Sequence, residues 1–273
     1  MSTVNSEQRE ITVGIAGAAG DGLDKTGTTL ANTASRLGVH IYGYNSYQSL
    51  IRGGHTWLRL RLGQQKVTNH GDKLGVLICL NEDSLERHVP EVGPGGVVIH
   101  NSDRLHCDPY LVPEGVQVLP IPFKELTSDM GKLLPVMQNI VALGASIHAI
   151  GFEFDVMAGV LADTFAHKGD EIIEQNVGVA RLGYDFAREN LGPIDDLEWN
   201  FSRTRMAVLT GNEAMAIGAT AAGLKLYSAY PMSPASSILH WFMSHGERVG
   251  VAVKQAEDEI AVANITIGAG HVG

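Results

Sequence analysis

The chain has 273 residues and a formal net charge of −10, with 44% hydrophobic and 18% charged residues. That length suits one large or two modest domains, and that composition is neither disordered nor membrane-like. The acidity, with Lys and Arg scattered and Arg59 and Arg61 forming only a local pair, speaks against the basic face of a nucleic-acid binder.

Residues 1–10 are polar and read as an N-terminal arm. Ile11–Ala16 predicts a strand that runs into a glycine-rich turn, Gly17-Ala-Ala-Gly-Asp-Gly22. A helix follows, with Leu30, Ala31, Ala34 and Leu37 on its apolar side and Gly38 as its stop, and then a strand over Val39–Tyr44. A β–loop–α–β opening makes a parallel sheet the default. Thr56–Leu62 departs from that pattern: Leu58, Leu60 and Leu62 alternate with Trp57, Arg59 and Arg61, and Gly63-Gln64 followed by Lys66-Val-Thr reads as an inserted hairpin. Strands resume at Leu74–Leu80, Gly96–His100 and Val116–Ile121, and helices run from Val136–Ile150 to about Asn190.

Gly192–Asn200 is acidic and breaks the periodicity, so residues 192–206 read as a linker between a first domain over 11–191 and a second over 207–273. The second domain reads as strand Ala207–Thr210, helix from Gly211, strand Leu224–Tyr230, helix Ser236–His245, strand Val251–Ala256 and a helix from Glu257. A piece of this size leaves a parallel sheet half covered, so the second domain is expected to be incomplete.

Cys79 and Cys107, without a CxxC spacing, cannot by themselves form a disulfide framework or ligate a four-thiolate iron–sulfur cluster, and both are expected to be buried. No HExxH or His/Cys grouping marks a metal held by this chain alone. No apolar run reaches transmembrane length and no signal peptide precedes the first strand, so the expected compartment is the cytoplasm.

The Gly17–Gly22 turn fails the dinucleotide fingerprint, because Lys25 stands where the third glycine belongs. It also fails the phosphate-loop pattern, because Asp24 precedes Lys25-Thr26. A tight strand-to-helix turn and a ligand loop both remain readings of it. Arg52-Gly53-Gly54 sets exposed amides beside a guanidinium, which is either an anion or partner contact or a plain turn. Ser233-Pro234 has the residue types of a helix N-cap and first position, where free amides suit a carboxylate or simply cap the helix. Glu257-Asp258-Glu259 opens a helix, where acidic residues also complement the dipole.

Gly17–Gly22, Thr26-Gly27, Arg52-Gly53-Gly54, Asn139 and Val141-Ala-Leu-Gly144 together resemble the gamma domain of the 2-oxoacid:ferredoxin oxidoreductases, with Gly20-Asp21-Gly22 where that family often has Gly-Gln-Gly. Thr210-Gly-Asn-Glu-Ala214, Tyr230-Pro-Met-Ser-Pro234 and Glu257-Asp-Glu-Ile260 resemble the start of the family's alpha subunit, whose middle motif is usually Tyr-Pro-Ile-Thr-Pro. The resemblance implies an α/β fold: a gamma-type α/β domain with an inserted hairpin, then the start of a thiamine-diphosphate-binding pyrimidine domain. It implies an enzyme that decarboxylates a 2-oxo acid, 2-oxoglutarate by the fused gamma–alpha order, to acyl-CoA and passes electrons to ferredoxin.

By the same resemblance, Glu259 is the catalytic carboxylate facing thiamine diphosphate, with Glu257 as runner-up. Tyr230, Pro231 and Ser233 would contact substrate, and Gly17, Gly20, Gly22, Arg52, Gly53 and Gly54 would form a coenzyme A contact or an interface. A beta subunit would hold the diphosphate end of the cofactor, Mg2+ and a 4Fe–4S cluster, in a dimer of heterodimers that is inactive without it. The alternatives are a non-catalytic assembly or binding subunit of the same fold and, weakened by the failed fingerprint, a nicotinamide-dependent dehydrogenase.

Overall fold

The computed structural model describes residues 9–46, 54–130, 137–192, 194 and 197–273. They form two compact units, Met1–Met206 and Ala207–Gly273.

In the first unit the elements are β1 (Glu10–Ala18), α1 (Leu23–Leu37), β2 (His40–Asn45), β3 (His55–Gly63), β4 (Leu74–Cys79), α2 (Glu82–His88), β5 (Val92–Asn101), β6 (Gln117–Ile121), α3 (Phe123–Leu126), α4 (Gln138–Ala149), α5 (Phe154–Phe165) and α6 (Asp170–Asn190). Among the described residues the strands form one sheet in the order β2-β3-β1-β4-β5-β6. β1, β4, β5 and β6 pair in parallel, whereas β3 is antiparallel to both β1 and β2.

The expected hairpin is therefore corrected in its partner. β3 does not turn back into Lys66-Val-Thr68, where no strand forms; it pairs with β2 on one edge and β1 on the other. Both edges of β3 are filled, so no row of backbone groups is left for a further strand. After Gly63 the chain is instead pinned in place. Gln64 N–H donates to the Arg9 carbonyl at 2.8 Å, and its side chain exchanges bonds of 2.7 and 2.9 Å with the Asn200 backbone. The parallel default likewise fails for β2, which β3 separates from β1.

The sheet is buried on both faces, which is why β4 reads as the nearly unbroken apolar run Leu-Gly-Val-Leu-Ile-Cys. One face carries Val13, Ile15, Leu58, Leu60, Leu62, Val76, Ile78 and Ile99 against Leu30 and Leu37 of α1 and Val141 and Ile147 of α4. The other carries Ala16, Leu77, Cys79 and Val98 against Leu85 of α2, Val89 and Cys107. α4 and α6 meet backbone to backbone: a Cβ on Gly144 would lie 1.9 Å from the Ala180 carbonyl oxygen, and one on Gly183 would lie 1.9 Å from that of Val141.

The stretch read as a linker is partly built into this unit. The Trp199 indole donates to the Ile150 carbonyl at 2.6 Å, and Trp199 and Phe201 pack edge-on against Phe152. Ser35 Oγ donates to the Met206 carbonyl at 2.5 Å. Aromatic anchoring, not helical or strand periodicity, fixes the segment, which explains why its pattern is irregular. Glu10 begins β1, and Arg9 donates to the Glu198 carbonyl, so the end of the expected arm is also structured; residues 1–8 lie outside the described residues.

The second unit contains α7 (Gly211–Ala221), β7 (Leu226–Ala229), α8 (Ser236–Val249), β8 (Ala252–Gln255) and α9 (Glu259–Val272). β7 and β8 pair in parallel. Ala207–Thr210 is not the expected strand: it is exposed over residues 207–210 and ends as the cap of α7. The core is small, with Ala216, Phe242 and Val251 buried and Tyr227 stacked on Phe242 at 4.7 Å. α9 buries none of its residues, and Ile260 and Ile267 are 74% and 71% exposed.

Candidate functional site

In the first unit the glycine-rich turn sits at the carboxyl end of β1. Gly20 (φ 101°) and Gly22 (φ 85°) occupy left-handed backbone that a side chain would strain, and Gly22 starts α1 without a side-chain cap. Asp21 folds back into its own turn, where its carboxylate accepts from Ala18 N–H at 2.7 Å. From α4, the Asn139 side-chain amide donates to the Asp21 carbonyl at 2.5 Å. Asp24 accepts from Asn45 at 3.2 Å. Gly54 reaches this turn, its carbonyl accepting from Ala19 N–H at 3.2 Å. Arg52 and Gly53 lie outside the described residues. The structure thus places Gly17, Gly20, Gly22 and Gly54 together and gives Asn139 and Asp21 the work of shaping the turn.

In the second unit three sequence motifs meet at one end of the β7–β8 pair. Ala229 and Gln255 are partners in register, so Tyr230–Pro234 and Glu257–Ile260 leave the sheet from the same edge. Ala256 N–H donates to the Ala229 carbonyl at 3.0 Å and extends that pairing to the exit. The start of α7 is tied to the same loop, because Asn212 Nδ2 donates to the Pro234 carbonyl at 2.9 Å and to Ser237 Oγ at 2.6 Å. Thr210 and Glu213 form a reciprocal capping box, with Glu213 N–H donating to Thr210 Oγ1 at 3.2 Å and Thr210 N–H to the Glu213 carboxylate at 2.8 Å. The outer end of parallel strands, where loops diverge, is the usual place for a ligand in an α/β fold.

Two details differ from the expected caps. Ser233-Pro234 does not begin α8: a turn closed by Ser236 N–H on the Met232 carbonyl (2.9 Å) intervenes, and Ala235 holds the cap position without a side-chain bond. The Ser233 hydroxyl has no hydrogen bond among the described residues. The acidic triplet does not enter the helix whole either. Asp258 is the cap, its carboxylate accepting from Ala261 N–H at 2.7 Å, and Glu259 is the first helical residue. Glu257 and Glu259 are exposed and make no hydrogen bond or ion pair among the described residues. The cap's short reach uses one carboxylate of the three and leaves its neighbours available.

Asn212 and Asn139 were quoted in the sequence motifs without a role; each turns out to cross-brace a turn from a neighbouring helix. Their signal was an amide side chain beside a helix start, which is too common to single out. Among the described residues no group of three or more His, Cys, Asp or Glu side chains is placed to hold a metal ion. Cys79 and Cys107 are buried, and burial pushes both thiols up.

Residues 12–186 match the family described as pyruvate ferredoxin/flavodoxin oxidoreductase, and residues 217–273 match the thiamine-diphosphate-binding domain of pyruvate flavodoxin/ferredoxin oxidoreductase. The chain is 24% identical to subunit alpha of 2-oxoacid:ferredoxin oxidoreductase 2 from Aeropyrum pernix, over 97% of this chain and 50% of that protein. It is 26% identical to the 2-oxoglutarate oxidoreductase subunit KorA of Mycobacterium tuberculosis, over 96% of this chain and 45% of that protein. Among solved structures, 2-oxoglutarate:ferredoxin oxidoreductase from Magnetococcus marinus, with 2-oxoglutarate, coenzyme A and succinyl-CoA bound, superposes with a TM-score of 0.85 at 26% identity. That superposition covers 97% of this chain and 46% of the other. The chain therefore spans about half the length of the relatives it matches.

Proposed function

The chain belongs to the pyruvate ferredoxin/flavodoxin oxidoreductase family, and from that premise we propose that it works within a thiamine-diphosphate-dependent, coenzyme A-acylating 2-oxoacid:ferredoxin oxidoreductase. The reaction is oxidative decarboxylation of a 2-oxo acid, 2-oxoglutarate in our reading, to acyl-CoA and CO2, with electrons passed to ferredoxin. The observation that carries this reading is the meeting of Tyr230–Ser233 and Glu257–Glu259 at one end of β7–β8, inside the segment matched to a thiamine-diphosphate-binding domain.

The residues present fit that cofactor. Glu259 offers a carboxylate with no partner among the described residues, on the first position of a helix, whereas Asp258 is occupied as the cap. When bound, thiamine diphosphate supplies the nucleophilic carbon that adds to the 2-oxo group and holds the electron pair left by CO2. The task of Glu259 is to accept an N–H of the aminopyrimidine ring, so that the ring is held in register and can move a proton. Glu257 is the alternative for the same task. Ser233, with its free hydroxyl, donates to the substrate carboxylate, and Tyr230 and Pro231 wall that pocket.

In the first unit Gly17, Gly20, Gly22, Arg52, Gly53 and Gly54 form the coenzyme A contact or the interface to a partner. The diphosphate end of the cofactor, Mg2+ and a 4Fe–4S cluster belong to a beta subunit in this reading, and the burial of both cysteines supports that division.

The test is to co-purify the chain with its native partners and assay 2-oxo acids for coenzyme A-dependent reduction of a viologen dye. A brown complex containing thiamine diphosphate that turns over 2-oxoglutarate is the expected result. Turnover of pyruvate or branched-chain acids alone would overturn the substrate. A complex without cofactor or activity would leave an assembly subunit.

A further inference from the structure

The two edges of the sheet in the first unit are not alike. β6 closes one edge with Pro120, which has no N–H to offer, and with Gln117, whose side chain accepts from Gly192 N–H at 3.1 Å. β2 forms the other edge and lacks these guards. Its six residues, His-Ile-Tyr-Gly-Tyr-Asn, include no proline and no Lys, Arg, Asp or Glu. Its register with β3 runs from His40–Gly63 to Asn45–Leu58 without a bulge.

The phase of the ladder shows which backbone groups of β2 point outward. Ser46 N–H donates to the Trp57 carbonyl at 2.8 Å, one step beyond Asn45–Leu58 in the same register. Bonded pairs in an antiparallel ladder recur at every second residue, so Tyr44, Tyr42 and His40 bond to Arg59, Arg61 and Gly63. The other edge of β3 agrees. Ala19 N–H donates to the Gly54 carbonyl and Gln64 N–H to the Arg9 carbonyl, so β1 takes the even-numbered residues and leaves the odd-numbered ones to β2. The N–H and C=O groups of Ile41, Gly43 and Asn45 therefore face away from the sheet, without a partner among the described residues.

We propose that β2 is a homodimer edge: two copies of the chain join β2 to β2, antiparallel, about a two-fold axis at Gly43, and so continue one sheet into the next. A two-fold contact needs a surface complementary to itself, and β2 has that property in both its backbone and its side chains. Pairing centred on Gly43 is the register that uses every outward residue of both copies, with Gly43 opposite Gly43 and Ile41 opposite Asn45. The same register sets Tyr42 of each copy opposite Tyr44 of the other, in the non-bonded positions where side chains come closest. Both tyrosines lie on the face of Arg59 and Arg61, their register partners, and Tyr44 is 46% exposed beside Trp57, with ring centroids 5.5 Å apart. No like charges meet across the axis.

The test uses the whole chain, with its mass followed by sedimentation across a range of concentrations and amide hydrogen exchange measured alongside. Monomer passes to dimer as concentration rises. Exchange at Ile41, Gly43 and Asn45 slows about tenfold once dimer outnumbers monomer by that factor, while Leu77 and Val98 in the sheet centre are protected throughout. Tyr42→Glu/Tyr44→Glu sets carboxylate against carboxylate across the axis and abolishes the dimer. Tyr42→Glu/Tyr44→Lys sets opposite charges there and restores it, which a shifted register would not do. A chain that stays monomeric, a dimer whose three outward amides exchange freely, or a dimer that survives Tyr42→Glu/Tyr44→Glu would overturn the proposal. So would failure of Tyr42→Glu/Tyr44→Lys to dimerise, or protection of these amides only by a different protein. If the variants do not fold, the mass and amide exchange of the unsubstituted chain decide.

Discussion

In the first unit the turn that follows β1 is closed on itself: Asp21 accepts from Ala18 N–H at 2.7 Å, Asn139 braces it at 2.5 Å, and Asp24 is engaged by Asn45. In the second unit the loops that follow β7 and β8 leave Ser233, Glu257 and Glu259 without a partner among the described residues. The same contrast runs through the packing. The first sheet is covered on both faces, whereas α9 buries nothing. A polar group already bonded inside its own turn shapes backbone, and one left unbonded is available for chemistry. Acidic residues near a helix start look alike in sequence, and only the bonding separates the two cases.

The sharpest way to break that comparison is Glu259→Gln in the assembled enzyme. Size and helix position are kept and the carboxylate is lost, so turnover should fall roughly 10²–10⁴-fold, the worth of a positioned proton-transfer group. A plain helix-end charge predicts a loss of only about 0.3–1 kcal/mol in stability and little change in rate. Proton–deuterium exchange at thiamine C2 separates the two, and near-normal exchange would move the role to Glu257. Gly183→Ala probes the closed side: its new Cβ would meet backbone at Val141 that cannot move aside, so urea denaturation should show a loss of about 3 kcal/mol. Ser233→Ala should raise the Michaelis constant for the 2-oxo acid on the order of ten- to a hundredfold, the worth of a hydrogen bond to a charged group. Because Ala235 and not Ser233 caps α8, the melting temperature should stay put; a lower melting point with unchanged kinetics would return Ser233 to a structural role.

Acidification should weaken the first unit. Burial is the leading reason that His55, His100 and His148, all in that unit, resist protonation. The unfolded chain then binds more protons, so stability is complete above about pH 6.5 and is lost as pH falls toward the lowered folded values. Melts at pH 7.5 and 5.5 should show the midpoint falling, and a midpoint that holds or rises would contradict the burial argument. The smallest effect belongs to α9: a Cβ at Gly268 meets nothing within 4 Å, so Gly268→Ala should stabilise the isolated chain by about 0.5–1 kcal/mol. Destabilisation there would mean the helix face is less open than described.

Much of the fold was legible because its signals are local. Gly38 ends α1 with φ 74°, as its position after the last apolar residue predicted, and the alternation of Leu58, Leu60 and Leu62 gave the core face of β3. The neighbours of β3 were not legible, since alternation fixes which side chains face the core and says nothing about which strands lie alongside. Aromatic residues in 192–206 looked like a break in pattern because their packing is tertiary, against Phe152 and the Ile150 carbonyl. At the candidate site the three motifs were readable in order, but the division of labour in Glu257-Asp258-Glu259 depends on which carboxylate reaches Ala261 N–H.

The placement of β3 between β1 and β2 also constrains how the chain can be assembled in time. Among the described strands β1 comes first in the chain, yet its two neighbours in the sheet are β3 and β4, and the next strand, β2, is not paired with it. A strand–helix–strand segment emerging during synthesis has no native sheet to join until residue 63 is available. β1 must stay unpaired, or pair wrongly, over that interval, and closing such distant pairings is what slows folding. The apolar run Ile11–Ala16, buried in the finished sheet, thus lacks its native partners over that interval and is open to mispairing while the protein is being made.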